Sequence, residues 1–145
     1  MSPNTSSRFS LSIGMIVVFC LAATLTACSS APERSTVTGT VTYRQKIALP
    51  PDAVLTVRIE DVSLADAPAE VLGEQVIETK GAQVPIAFNV AYDADKIEAN
   101  HTYSLRTRIE DGSGKLLFIN DTSIPVITQG NPVQDIEVVV VPAGG

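Results

Sequence analysis

The sequence predicts an all-β protein: an antiparallel β-sandwich of about seven strands, preceded by a cleaved N-terminal signal helix. Three observations lead there. From Thr36 onward, apolar residues recur at every second position in run after run, the period of a strand with one buried face. Pro, Gly, Asn and Asp break these runs at short spacing, as in sandwiches and barrels. Past the first thirty residues, no stretch suggests a helix longer than a turn. Few aromatics and many valines favour two thin packed sheets over a barrel.

The chain opens with a short polar segment whose only basic side chain is Arg8, followed by an apolar run from Phe9 to Leu25. That run is about 17 residues long, at the lower limit for a membrane-spanning helix. Small residues at Ala22, Ala23 and Ala27 favour cleavage over retention, so residues 1–27 read as a secretory signal peptide. Leu25-Thr26-Ala27-Cys28 resembles the bacterial lipobox. The resemblance implies cleavage between Ala27 and Cys28, an S-diacylglycerol thioether on Cys28 and an N-acyl group, commonly palmitate, on its new amine. Each buried methylene contributes about 0.8 kcal/mol and stable anchoring takes roughly two chains, so three chains would hold the protein on a membrane. Ser29 follows the cysteine where inner-membrane lipoproteins of this type tend to carry aspartate, which favours the outer membrane on its periplasmic face.

Removing 27 of the 145 residues leaves 118, enough for one domain with a real core. Cys20 goes with the signal and Cys28 is taken by lipid, so no thiol remains for a disulfide, a metal or a nucleophile. Arg8 is the one charged residue lost, leaving nine basic against 16 acidic side chains. Such a surface disfavours nucleic acid.

Residues 28–35 are small and polar, interrupted by Pro32, and read as a flexible tether. A domain over 36–141 follows. Val37, Gly39, Val41 and Tyr43 alternate with threonines to give the first strand, and Gly39 within it suggests a bulge or the close approach of another backbone. Leu49-Pro50-Pro51-Asp52 sets a turn, and Ala53, Leu55, Val57 and Ile59 define the second strand. Asp61–Ala69 is a loop, and Val71–Thr79 a weaker strand broken by Gly73. Val84, Ile86, Phe88, Val90 and Tyr92 form the cleanest alternation, with Pro85 marking an edge or a strand start. Asp93–Glu98 holds a single helical turn. Tyr103–Glu110 and Leu116–Ile119 make a hairpin about Asp111-Gly112-Ser113-Gly114, whose glycines supply positive φ. A final strand, Ile136–Val141, precedes a frayed tail at 142–145.

Val37-Thr38-Gly39-Thr40-Val41-Thr42-Tyr43-Arg44, Ala48-Leu49-Pro50-Pro51-Asp52-Ala53, Val57-Arg58-Ile59-Glu60-Asp61-Val62-Ser63, Tyr103-Ser104-Leu105-Arg106 and Asn120-Asp121-Thr122 together resemble the YbaY/YscW-type lipoprotein family throughout 36–141. The best-described members of that family are type III secretion pilotins, which chaperone a secretin subunit to the outer membrane. Many others are envelope lipoproteins of unknown role. The matching positions are strand and turn residues, so Cys28 is the only functional residue carried over.

Chemistry is sparse elsewhere. His101 is the sole histidine, and without thiols or a second imidazole a zinc or copper site lacks donors. It reads as a polar residue in the turn before Tyr103. Asp93, Asp95 and Glu98 offer oxygens to calcium, but the further acidic positions and mid-loop glycine of a calcium loop are missing. No serine lies in G-x-S-x-G, no phosphate-binding glycine motif occurs, and Glu60 with Asp61 is the kind of carboxylate pair any acidic surface offers. Asn100-His101-Thr102 and Asn120-Asp121-Thr122 match glycosylation acceptors, on which a bacterial chain carries no sugar. The expectation is a non-enzymatic lipoprotein without cofactor or metal, acting as an assembly factor or pilotin-like chaperone in the envelope, with a secretin as one candidate partner. An open sheet edge near Pro85 or Pro125, or an exposed apolar groove, would favour that. An exposed aromatic cluster or a concave polar cleft would favour the alternative, a lipoprotein binding an envelope glycan or small ligand.

Overall fold

A computed structural model describes residues 31 and 33–144; residues 1–30, and with them the signal peptide, Ala27 and Cys28, lie outside the described residues. The strands in chain order are β1 Arg34–Thr42, β2 Val54–Asp61, β3 Glu70–Glu78 and β4 Ile86–Asp93. A 3-10 turn at Ala94–Lys96 follows, capped by the Asp93 side chain, which accepts from the Asp95 N–H. Then come β5 Tyr103–Glu110, β6 Leu116–Ile119, β7 Pro125–Val126, β8 Ile136–Val139 and β9 Val141–Pro142.

Two sheets result, one of three strands in the order β4-β1-β8, the other of six in the order β3-β2-β5-β6-β9 with β7 also on β5. The expected β-sandwich is present. Its inner faces are the alternating positions read from the sequence: Val37 and Val41 on β1, Leu55, Val57 and Ile59 on β2, and Ile109 on β5 have no solvent exposure. Tyr43 stacks on Phe118 with ring centroids 4.5 Å apart, and its hydroxyl donates to the Ile47 carbonyl at 2.6 Å, which ties the β1–β2 connection to the core.

Pairing between distant strands corrects several local expectations. β1 and β8 run parallel, Gly39 opposite Ile136, the one parallel pair among the described strands. Gly39 is where another backbone approaches: a Cβ there would lie 2.0 Å from the Ile136 carbonyl oxygen. β1 begins at Arg34, not at Thr36, because backbone pairing to β4 extends past the alternating side chains. Gly73 does not break β3. Two residues of β3, Gly73 and Val71, face consecutive residues of β2, Ile59 and Glu60, so Leu72 forms a bulge. A Cβ at Gly73 would sit 2.3 Å from the Ala91 carbonyl oxygen, so the glycine lets β3 meet β4 across the open side of the sandwich. The last apolar run is not one strand. It leaves the three-stranded sheet after Val139 and joins the other at Val141, with the Val140 N–H donating to the Thr42 carbonyl at 2.8 Å. Pairing continues into the expected frayed tail as far as Ala143, whose N–H donates to the Leu117 carbonyl at 2.9 Å.

β5 is shared along its length by β7, opposite Tyr103 and Ser104, and β6, opposite Arg108–Glu110. The buried Asn120 side chain fills the gap between them. Its Oδ1 accepts from the Thr107 N–H at 2.7 Å, and its Nδ2 donates to the carbonyls of Leu105 at 3.1 Å and Thr122 at 2.9 Å.

Candidate protein-binding surface

Alternation places Thr56, Arg58 and Glu60 of β2 and Ser104, Arg106 and Arg108 of β5 on the outer face of the larger sheet. Most of the charges there are paired within the sheet. Arg58 bonds Glu74 across to β3, Arg108 bonds Glu110, and Arg106 Nε lies 3.7 Å from Glu60. Such exposed pairs contribute little stability but leave little unpaired charge on the face. Beside them stand apolar side chains without cover. Val71 and Val76 on β3 are 47% and 56% exposed, and Val62 and Leu64 on the β2–β3 connection are 39% and 70% exposed. Single exposed valines are common, but four on one hairpin form a surface suited to an apolar partner.

Next to Val62 a polar cleft of about 250 Å³ opens between β2, β5 and the β6–β7 connection, lined by Glu60, Ser104, Arg106, Asn120 and Thr122 among others. Its floor is firm. Ser104 Oγ accepts from the Ile124 N–H at 3.1 Å, and Asn120 is held as described. No aromatic ring lines it. All five aromatic residues among the described ones, Tyr43, Phe88, Tyr92, Tyr103 and Phe118, are buried.

His101 lies in the turn before β5. Its Nδ1 is 2.6 Å from Asp61 Oδ2 at the end of β2, and its Nε2 is 3.3 Å from Glu98. The hydrogen bond to Asp61 raises the His101 pKa against a smaller opposing effect of burial, and the charges of Asp61 and Glu98 add to the rise. Burial pushes Asp61 upward, but hydrogen bonds from Ser63 and His101 outweigh it and leave the carboxyl below its ordinary value.

The sequence profile described as "Type III secretion system lipoprotein chaperone (YscW)" matches residues 32–138. The chain belongs to the YscW family. A relative of this YscW-family chain, "Uncharacterized lipoprotein YbaY" of Escherichia coli (strain K12), is 44% identical over 107 residues, which are 74% of the chain and 56% of the relative. The chain therefore spans little more than half the length of YbaY. A solved structure, that of an alternative pilotin from the type II secretion system of Vibrio cholerae, is similar with a TM-score of 0.70 and 48% identity, covering 77% of the chain and 100% of the pilotin.

Within the YscW-family chain, the two prolines expected to mark edges stand by strands that, among the described ones, pair on one side only, β4 with β1 and β7 with β5. Pro85 precedes β4, whose Asn89 N–H is taken by Gln75 Oε1 of β3 at 2.6 Å, and Pro125 pairs with Ser104 inside the sheet. The carboxylates weighed for calcium have separate surroundings. Asp93 caps the 3-10 turn, Asp95 points to solvent and Glu98 turns to His101. Glu60 and Asp61 also face different partners, Arg106 and His101. Reading Asp61–Ala69 as a plain loop passed over Leu64, although a leucine among small and acidic residues is itself a sign of an uncovered apolar tip.

The His101 pair sets a pH dependence. His101 titrates above its ordinary value when folded, so its stabilisation is complete below about pH 6.5 and is lost as pH rises through the folded value. Asp61 works in the opposite sense. Its stabilisation is present above about pH 4 and is lost as pH falls through the lowered folded value. Thermal midpoints measured across pH should be highest between these limits, and His101→Asn should flatten the alkaline side. A wild-type midpoint unchanged from pH 6 to 9 would show that the pair contributes nothing.

Proposed function

We propose that this chain is a lipid-anchored lipoprotein of the bacterial envelope, held by Cys28 on the periplasmic face of the outer membrane. There it acts without catalysis as a pilotin-like chaperone or assembly factor for a protein partner. The observation that carries this reading is membership of the lipoprotein-chaperone family, together with close similarity to a solved pilotin over that protein's whole length. The uncovered β3 residues Val71 and Val76, on the outer face of the larger sheet, support it, because an apolar exposed surface is what a transient protein partner uses. A secretin subunit is the partner class that the pilotin relative suggests.

Affinity capture of the protein from its own envelope, followed by mass spectrometry, tests this. One stoichiometric outer-membrane protein should copurify. Cys28→Ala should leave the protein soluble and its partner mislocalised. If no protein copurifies while intact mass shows lipid on Cys28, the chaperone role is wrong and the anchor stands.

A second reading, binding of a small polar ligand, has the 250 Å³ cleft in its favour. Burial of all five described aromatics removes the stacking platform that a glycan site would use.

A further inference from the structure

Three of the five uncovered large apolar residues, Val62, Leu64 and Val71, lie together, while Val76 and Ile47 stand apart from them. Val62 and Leu64 follow directly on Asp61, the last residue of β2, which pairs with Glu70 at the start of β3. Val71 is the next residue of β3. This is the end of the sandwich where β1 begins. Arg34 pairs with Asp93 at the close of β4, and Arg34 and Leu72 line one shallow cavity of about 300 Å³ together with Asp93. The opposite end carries the β1–β2 connection with Ile47 and the β5–β6 hairpin.

Only five residues separate Cys28 from Arg34. Fully extended, this chain spans about 20 Å, less than the roughly 27–30 Å length of an eight- or nine-residue strand. A lipid on Cys28 therefore keeps the β2–β3 end within about 20 Å of the bilayer, while the Ile47 end lies about a strand's length further from the anchor. We propose that this end rests on the membrane, with Leu64 and Val62 seated at the boundary between headgroups and acyl chains of a zwitterionic lipid surface. The inference rests on lipidation of Cys28. The tether makes the contact intramolecular at an effective concentration in the millimolar range, so a few apolar side chains suffice to hold it. The same end carries Asp61, Asp66, Glu70, Asp95 and Glu98 against Arg34 and Lys96. That excess of negative charge selects a neutral headgroup layer over an anionic one.

The chain contains no tryptophan, and Cys28 is the only cysteine of residues 28–145, which carry the whole sandwich with its own core. Leu64→Trp therefore gives a single emitter, and a maleimide lipid on Cys28 supplies a thioether anchor independent of the cell. On phosphatidylcholine vesicles containing brominated acyl chains, Trp emission of Leu64→Trp should shift to the blue and be quenched at least twofold. Ile47→Trp, at the far end and 58% exposed in the native protein, should be quenched far less. Replacing a third of the lipid by phosphatidylglycerol should reduce the Leu64→Trp quenching. Equal quenching at the two positions, none at either, or quenching that grows with phosphatidylglycerol would overturn the proposal. Intact mass of the protein from its own membrane separates the two readings. A bare Cys28 removes the anchor and this contact with it, whereas a lipidated chain whose Leu64→Trp emission stays water-like removes the contact alone.

Discussion

Gly39→Ala is expected to remove about 3 kcal/mol or more of folding stability, the largest loss of any exchange that adds a single methyl group to this sandwich. The added Cβ would lie 2.0 Å from the Ile136 carbonyl oxygen and 2.8 Å from the Phe88 ring. The ring can turn aside. The carbonyl belongs to β8, paired with β1 over Gly39–Thr42, so it can move only if the parallel pair separates. Overpacking ordinarily costs about 1–3 kcal/mol when side chains absorb it, and more when backbone must yield. Gly130→Ala provides the contrast. Gly130 has open space around its Cβ position but φ of +78°, so only the left-handed penalty of about 1–2 kcal/mol applies. Urea denaturation of both variants measures the difference. Equal losses would mean that β8 does not sit against Gly39.

Asn120→Ala should cost about 2–5 kcal/mol, a fall of roughly 10–20 °C in thermal midpoint for a domain of this size. The exchange strips the Thr107 N–H and the Leu105 carbonyl of their side-chain partner within β5, where β6 has ended and β7 has not begun. A buried polar group left unsatisfied costs about 1–3 kcal/mol, and here two are orphaned together. Asn120→Asp discriminates between lost packing and lost hydrogen bonds. Aspartate keeps the acceptor for Thr107 but presents an oxygen to the Leu105 and Thr122 carbonyls in place of a donor. It should therefore be at least as destabilising as alanine at neutral pH and recover partly in acid, as protonation restores one donor. Calorimetry at pH 4 and pH 7 resolves this. Asn120 also lines the polar cleft, so both variants alter the cleft directly as well as through the fold, and ligand assays on them require a folded fraction measured alongside.

Sequence legibility divided along a physical line. β2, β4 and β5 could be read almost to the residue, because alternation records which face is buried, and Leu55, Val57, Ile59, Val90 and Ile109 are buried as that pattern requires. The Asp111 hairpin was equally plain. Its Oδ1 accepts from the Ser113 and Lys115 N–H groups, and Gly114 takes φ of +84°. What could not be read is decided by partners far along the chain. Nothing local in Ile136–Val141 shows that it changes sheets at Val140, and nothing in Pro125–Val126 marks a two-residue strand, since both depend on which backbone lies alongside. Gly73 shows the same limit. Its signal, a glycine inside a strand, was visible, but two outcomes share that signal, a break or a close crossing, and only the position of Ala91 chooses between them. The surface followed a similar division. Leu64 was legible as an apolar residue in a polar loop, whereas the pairing of His101 with Asp61, forty residues earlier, was not.

The first strand of this sandwich lies beside one of the last, Gly39 against Ile136. A chain delivered from its N-terminus therefore holds β1 with one edge bare until Ile136–Val139 has appeared, about a hundred residues later. Neither sheet can be completed earlier, because the crossing at Val140 supplies an outer strand to both. Closure of so long a loop is slow, and it rewards the chain only at the end. Such an order of events keeps the polypeptide threadable while it is in transit and makes β8 and β9 the latch: a translation or export complex stalled short of Ile136 should hold an open, protease-sensitive chain, and release of Ile136–Pro142 should snap it shut.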